Sequence, residues 1–115
     1  MKHIEKQKTN IETLLQLVRE NPELQIVPMV DYEVVGSDDF SSWMGDWGKS
    51  EIDEVLYGDE RIYFRSQDED GLIENLVWNN EFIDGLSEVQ AIKKAENEVN
   101  NYAWEKVIVV RIVLP

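Results

Sequence analysis

The stretch that most constrains this chain is Val107 to Leu114, a β-branched run broken only by Arg111. Such a run fits a strand covered on both faces, because an alternating polar side for water is missing. The rest of the chain must then supply material for two layers around it. With 115 residues and 43% hydrophobic content, one domain spanning residues 1–115 can do this. Cysteine is absent, so disulfide frameworks and thiolate metal sites are excluded.

Upstream, Thr9-Asn10-Ile11-Glu12 has the form of a capping box, followed by Leu14, Leu15 and Val18 at helical spacing and a stop at Asn21-Pro22. A helix over residues 10–20 is expected, with Lys2, Lys6 and Lys8 as a frayed basic lead-in. Residues 25–35 read as an extended run that Pro28 restricts to a sheet edge or a strand start. Gly36-Ser37-Asp38-Asp39 is a turn, and the aromatic stretch from Phe40 to Trp47 a short strand or ordered loop.

Residues 51–57 and 61–66, separated by Gly58-Asp59, carry a two-residue hairpin signal. That register sets Tyr57 opposite Glu60, Val55 opposite Ile62 and Asp53 opposite Phe64, and pairs Arg61 and Arg65 with local carboxylates. Asp68-Glu69-Asp70-Gly71 breaks the sheet before a short helix ending near Asn79. Ser87-Glu88-Val89-Gln90 opens a longer helix with Val89, Ile92, Ala95, Val99 and Ala103 on one side. The architecture expected is α+β: an antiparallel meander sheet, helices packed on one face, and a C-terminal strand returning to the sheet. Trp78 and Trp104 fall on helices and are assigned to the core.

Charge narrows function further. The net charge is −13, and residues 31–88 alone hold 17 acidic side chains against Lys49, Arg61 and Arg65. A field of that sign repels nucleic acid and anionic membranes and draws in basic surfaces by fast, salt-sensitive association. Same-face carboxylates on a strand, such as Asp31/Glu33 and Glu51/Asp53, repeat every ~6.7 Å, the length scale of a nucleic-acid backbone. No apolar run is long enough to span a bilayer, and Met1 to Lys6 has no signal-peptide core, so a cytoplasmic protein is expected.

Chemistry finds little support. His3 is the only histidine, which leaves no base for a serine nucleophile and no imidazole metal site. Ser66 to Val77 partly matches a calcium loop, with Asp68 and Asp70 at ligand positions, yet Val77 stands where a bidentate Glu is required. A two-metal nuclease would find only Lys49 to steady developing charge, and no glycine-rich phosphate loop is present. No cofactor, no metal and no enzymatic activity are expected.

Recognition remains. Trp43, Met44 and Trp47 stand among carboxylates in the manner of an interface centre with a charged rim. The candidate partner-binding residues are Asp38, Asp39, Trp43, Asp46, Trp47, Glu51, Asp53 and Glu54. From Asn21-Pro22-Glu23-Leu24 through Pro28-Met29-Val30, then Ser37-Asp38-Asp39-Phe40, Trp43-Met44-Gly45 and Asp59-Glu60-Arg61-Ile62-Tyr63-Phe64, the chain resembles a family of small acidic proteins from phages and prophages of Firmicutes. No assigned activity comes with that resemblance, so no functional residue is transferred. It implies a phage setting, in which small acidic proteins often inhibit host nucleic-acid enzymes, CRISPR nucleases included.

The expectation is an inhibitor that occupies the basic nucleic-acid-binding surface of a host defence protein, as an anti-CRISPR or related anti-defence factor would, without binding nucleic acid or membrane itself. The alternative is a non-catalytic phage accessory or structural protein, functioning as a homodimer, whose acidity only confers solubility.

Overall fold

The structure is a computed structural model that describes residues 2–36 and 41–115. Its elements are α1 (Lys2–Glu20), β1 (Ile26–Val30), a 3-10 turn (Tyr32–Val34), β2 (Asp46–Tyr57), β3 (Ile62–Phe64), α2 (Arg65–Val77), α3 (Glu88–Asn100) and β4 (Glu105–Val113). The fold is α+β, but the sheet is mixed. Strand order is β1-β4-β2-β3, with β1 parallel to β4 and β2 antiparallel to β3.

The expected antiparallel meander is therefore corrected: the C-terminal strand β4 returns to the sheet as expected, but it lies between β1 and β2 and runs parallel to β1. The cause is burial. Val107, Ile108, Val109 and Val110 are all at most 2% exposed, and only an interior strand can hide four consecutive side chains on alternating faces. The chain divides into two compact units, residues 1–53 with 106–115, and residues 54–105.

In the first unit, α1 begins at Lys2, well before the Thr9-Asn10 pair. Thr9 is an interior helical residue whose hydroxyl donates to the Glu5 carbonyl (3.2 Å), so the basic lead-in is helix and the capping-box reading fails. The helix stops where expected: the Asn21 side chain donates to the Leu17 carbonyl (3.0 Å) ahead of Pro22. Ile11, Leu14, Leu17 and Val18 form its half-buried stripe, while Leu15 faces out.

β1 ends at Val30, and Tyr32 to Val34 turn in a 3-10 coil instead of continuing the strand. The Gln25 carbonyl accepts from Ile108 and the Asp31 N–H donates to Ile112, so alternate residues 26, 28 and 30 turn their backbone groups away from β4. Pro28 occupies one of these outward positions, where its missing N–H costs no ladder bond.

Gly45 lies against Ile112 and Val113, and Gly48 against Arg111 and Val113, where β2 neighbours β4 in the sheet. A Cβ at Gly45 would stand 2.5 Å from Ile112 Cγ2, and one at Gly48 3.0 Å from the Arg111 carbonyl oxygen. These glycines are what lets the two strands approach.

In the second unit the hairpin forms two residues out of the expected register, with Val55 opposite Phe64, Leu56 opposite Tyr63 and Tyr57 opposite Ile62. Gly58 N–H donates to the Arg61 carbonyl (2.9 Å), which puts Asp59 and Glu60, rather than Gly58 and Asp59, at the tip of the turn. An even slip preserves the faces, so Val55, Tyr57, Ile62 and Phe64 still share one side.

Arg65 then starts a helix where strand was expected. Asp68 Oδ2 accepts from the Phe64 N–H (2.7 Å), covering a donor that the helix start would leave orphaned. The acidic stretch read as a sheet breaker is thus helical, running through Gly71. That segment cannot be a calcium loop, because its backbone carbonyls are engaged in α2.

Gly71 is exposed and a methyl group there would meet nothing within 4 Å. Gly71→Ala is expected to raise stability by about 0.5 to 1 kcal/mol, since the helix interior gains propensity and loses no contact. Urea denaturation checks this, and a lower midpoint would show that the position needs glycine.

α2 packs on α3 and on β3. The Ser87 capping box forms as expected: Ser87 Oγ accepts from the Gln90 N–H (3.2 Å), and Gln90 Oε1 accepts from the Ser87 N–H (3.0 Å). Ala91, Ala95 and Val99 are the buried face of α3, whereas Val89 is 76% exposed and Ala103 lies beyond the helix. Small residues at a four-residue spacing let α2 lie close.

Candidate acidic interaction surface

Seventeen of the chain's carboxylates were assigned by sequence to residues 31–88, but the three-dimensional units divide them differently. Residues 54–105 contain thirteen acidic and four basic side chains, a net −9, while the first unit carries the remaining −4. Three of those four cations are taken by the unit's own structure.

Arg65 is the most committed. Its guanidinium bonds Glu69, Glu54 (3.2 Å) and the Asn100 side-chain oxygen (2.6 Å), and stands 5.5 Å from the Trp104 ring. The hydrogen bond to Glu69 is the main reason its pKa is raised, with Glu54 adding to it. Arg61 pairs with Asp68 (3.0 Å) and covers the Tyr63 ring at 4.5 Å. Lys94 donates to the Phe82 carbonyl (2.7 Å) and sits over that ring.

The sequence expects local carboxylates for both arginines, and both find them, but neither pair is cross-strand: Arg65 opens α2 and meets Glu54 of β2, and Arg61 precedes β3 and meets Asp68 of α2. Burial, and then the charge and hydrogen bond of Glu105, push the Tyr57 phenol up, so it stays neutral as a donor.

What these commitments leave outward is negative. Asp59, Glu60, Asp70, Glu74, Glu81, Asp84, Glu88, Glu96 and Glu98 are all exposed. Asp70 and Glu74 lie one turn apart on the outward side of α2, ~6 Å along its axis. Such a like-charged pair does not help the helix, which makes it a surface feature rather than a structural one.

The strand ladder of carboxylates does not form. Glu33 is in the 3-10 turn, and on β2 Glu51 is exposed while Asp53 is 8% exposed. The inward face of β2 changes phase between Gly48 and Asp53, so the two carboxylates do not share a side.

The remaining sequence candidates scatter. Asp38 and Asp39 lie outside the described residues. Glu54 is spent on Arg65, and Asp53 is turned inward, so neither offers a free carboxylate to a partner. Asp46 and Trp43 are half-buried, Trp43 against Gly36, while Trp47 is 42% and Met44 79% exposed.

Trp78, assigned to the core by sequence, is 77% exposed at the end of α2, because the helix stops and its residue caps it instead of packing. Trp104 is half-buried but follows α3 rather than lying on it, its indole N–H donating to the Val99 carbonyl (2.7 Å).

Among the described residues no helix is long and apolar enough to cross a membrane. The chain matches no known family model, no curated protein and no solved structure. Its chemistry has therefore to be read from its own side chains.

Proposed function

We propose that this chain is a non-catalytic acidic inhibitor that binds the basic nucleic-acid-binding surface of a host protein. The carrying observation is the second unit's charge arrangement. Three of its four cations are engaged internally, nine carboxylates face outward, and a tryptophan that is 77% exposed stands in the same unit. Carboxylates supply steering and competition with phosphates, and an indole supplies the contact that slows release. Together with the resemblance to small acidic phage and prophage proteins, this favours an anti-CRISPR or related anti-defence factor acting in the host cytoplasm, with a CRISPR nuclease as the partner class.

The test is capture of the partner from host lysate at low and at moderate salt, followed by titration of the chain into the captured protein bound to labelled nucleic acid. The expected result is capture that weakens with salt, and displacement of the nucleic acid. A partner that keeps its nucleic acid while bound to the chain would rule out competition. Concentration-dependent self-association with no capture would favour the homodimeric accessory protein instead.

A further inference from the structure

Within the first unit, Lys6, Gln7 and Asn10 of α1 face Trp47 and Lys49 of β2 and Arg111 of β4 across a groove of about 510 Å³. Its size is within the range of pockets that hold small organic ligands. Its charge runs against the rest of the molecule. A chain with 24 acidic and 11 basic residues lines this groove with three cationic side chains and one acidic side chain, Asp46. Arg111 is the one charged residue inside the β-branched run of β4, and it is half-buried. Its fork carries five N–H donors, enough to keep an internal partner and still meet an anion.

The aromatic member is held in place. The Trp47 backbone N–H donates to Gln7 Oε1 (3.4 Å) and its backbone carbonyl accepts from Asn10 Nδ2 (2.9 Å), so the two peptide groups flanking this residue are held by side chains one helical turn apart. The backbone that carries the indole is thereby fixed before any ligand arrives, and the residue is 42% exposed, which lowers the ordering cost of stacking on it. The same two bonds orient the carboxamides. Gln7, accepting through oxygen, has an NH2 group left to donate, and Asn10, donating through nitrogen, has an oxygen left to accept. A donor and an acceptor beside a fixed aromatic face are what a nucleobase edge requires.

We infer that this groove binds a nucleoside monophosphate, with the base stacked on Trp47 beside Gln7 and Asn10 and the phosphate held by Lys6, Lys49 and Arg111. Phosphate favours this combination of point charges and a planar fork. The inference is independent of the acidic surface, which lies in the other unit.

The experiment is titration of the full chain with AMP, CMP, adenosine and inorganic phosphate, following the Trp47 indole N–H by two-dimensional NMR. AMP or CMP is expected to shift that resonance, with adenosine and inorganic phosphate each about tenfold or more weaker. Lys49→Glu, at an exposed position where folding is not at stake, should weaken the nucleotide about tenfold or more and leave adenosine unchanged. Trp47→Leu, followed through the backbone amide of Lys49 in the same groove, should weaken the nucleotide and leave inorganic phosphate unchanged. The assignment is overturned if both nucleotides leave the Trp47 resonance unmoved at about 5 mM. It is equally overturned if inorganic phosphate binds as tightly as AMP, since the base would then contribute nothing.

Discussion

Replacing Ile108 with alanine is expected to lower the unfolding free energy by about 3 to 4 kcal/mol. Ile108 has no exposed surface and sits in the middle of four consecutive buried residues of β4, the interior strand. A half-exposed strand could let solvent or a neighbour fill the space. Here both faces of the strand are enclosed, so the deleted atoms leave a cavity as well as a transfer loss. For a chain of this length the melting temperature should fall by about 12 °C or more, out of a total stability of the order of 5 to 15 kcal/mol. Urea denaturation with an unchanged m-value measures it. A loss below about 1 kcal/mol would mean that this strand is not enclosed on both sides.

The double charge reversal Asp70→Lys, Glu74→Lys is expected to slow association with the proposed basic partner about tenfold or more at low salt, while the melting temperature stays within a degree or two. The separation of effects follows from geometry. Both side chains are exposed on the outward side of α2, and lysines at the same spacing repel one another as the carboxylates did, so helix stability is conserved. Stopped-flow association at two ionic strengths reads the change, which should shrink as salt screens the field. Trp78→Ala should act on the other phase, leaving association alone and speeding dissociation. Equal association rates for wild type and the reversed variant would remove the electrostatic role from α2.

The parts of this fold that were legible in the chain are those decided locally or by composition. The run at Val107 announced a doubly covered strand because hydrophobic burial leaves no other place for it. Ser87 and Gln90 announced a helix start because the reciprocal bonds involve only neighbours. Strand order was not legible, since the pairing of residue 26 with residue 108 depends on long-range packing that no window contains.

The hairpin shows a finer limit. A shift of two residues keeps every side chain on its face, so alternation cannot detect it. What decided the register was Arg65, which begins α2 and leaves β3 only three residues long. Asp68 to Gly71 read as a breaker by composition, yet Asp68 serves the helix start and its charge is favourable there.

The candidate surface was legible as an acidic chain but not as a place. The carboxylates nominated near Trp43 and Trp47 proved to be partly consumed, buried or separated, while α2 and α3 present theirs. The cationic groove joins residues 6, 47, 49 and 111, whose separation hides it. Arg111 alone gave a sign, as a charge interrupting an otherwise apolar strand.

Pro28 has a consequence for how much of this protein a cell can hold. A terminal strand with free amides is a seed on which further chains can line up, and fibrils grow from such seeds. Here the outward amides of β1 belong to Ile26 and Val30 only, with a gap between them that cannot be bridged by a continuous ladder. A single imino acid at this position, beside a net charge of −13, removes the simplest route by which abundance would turn into polymer.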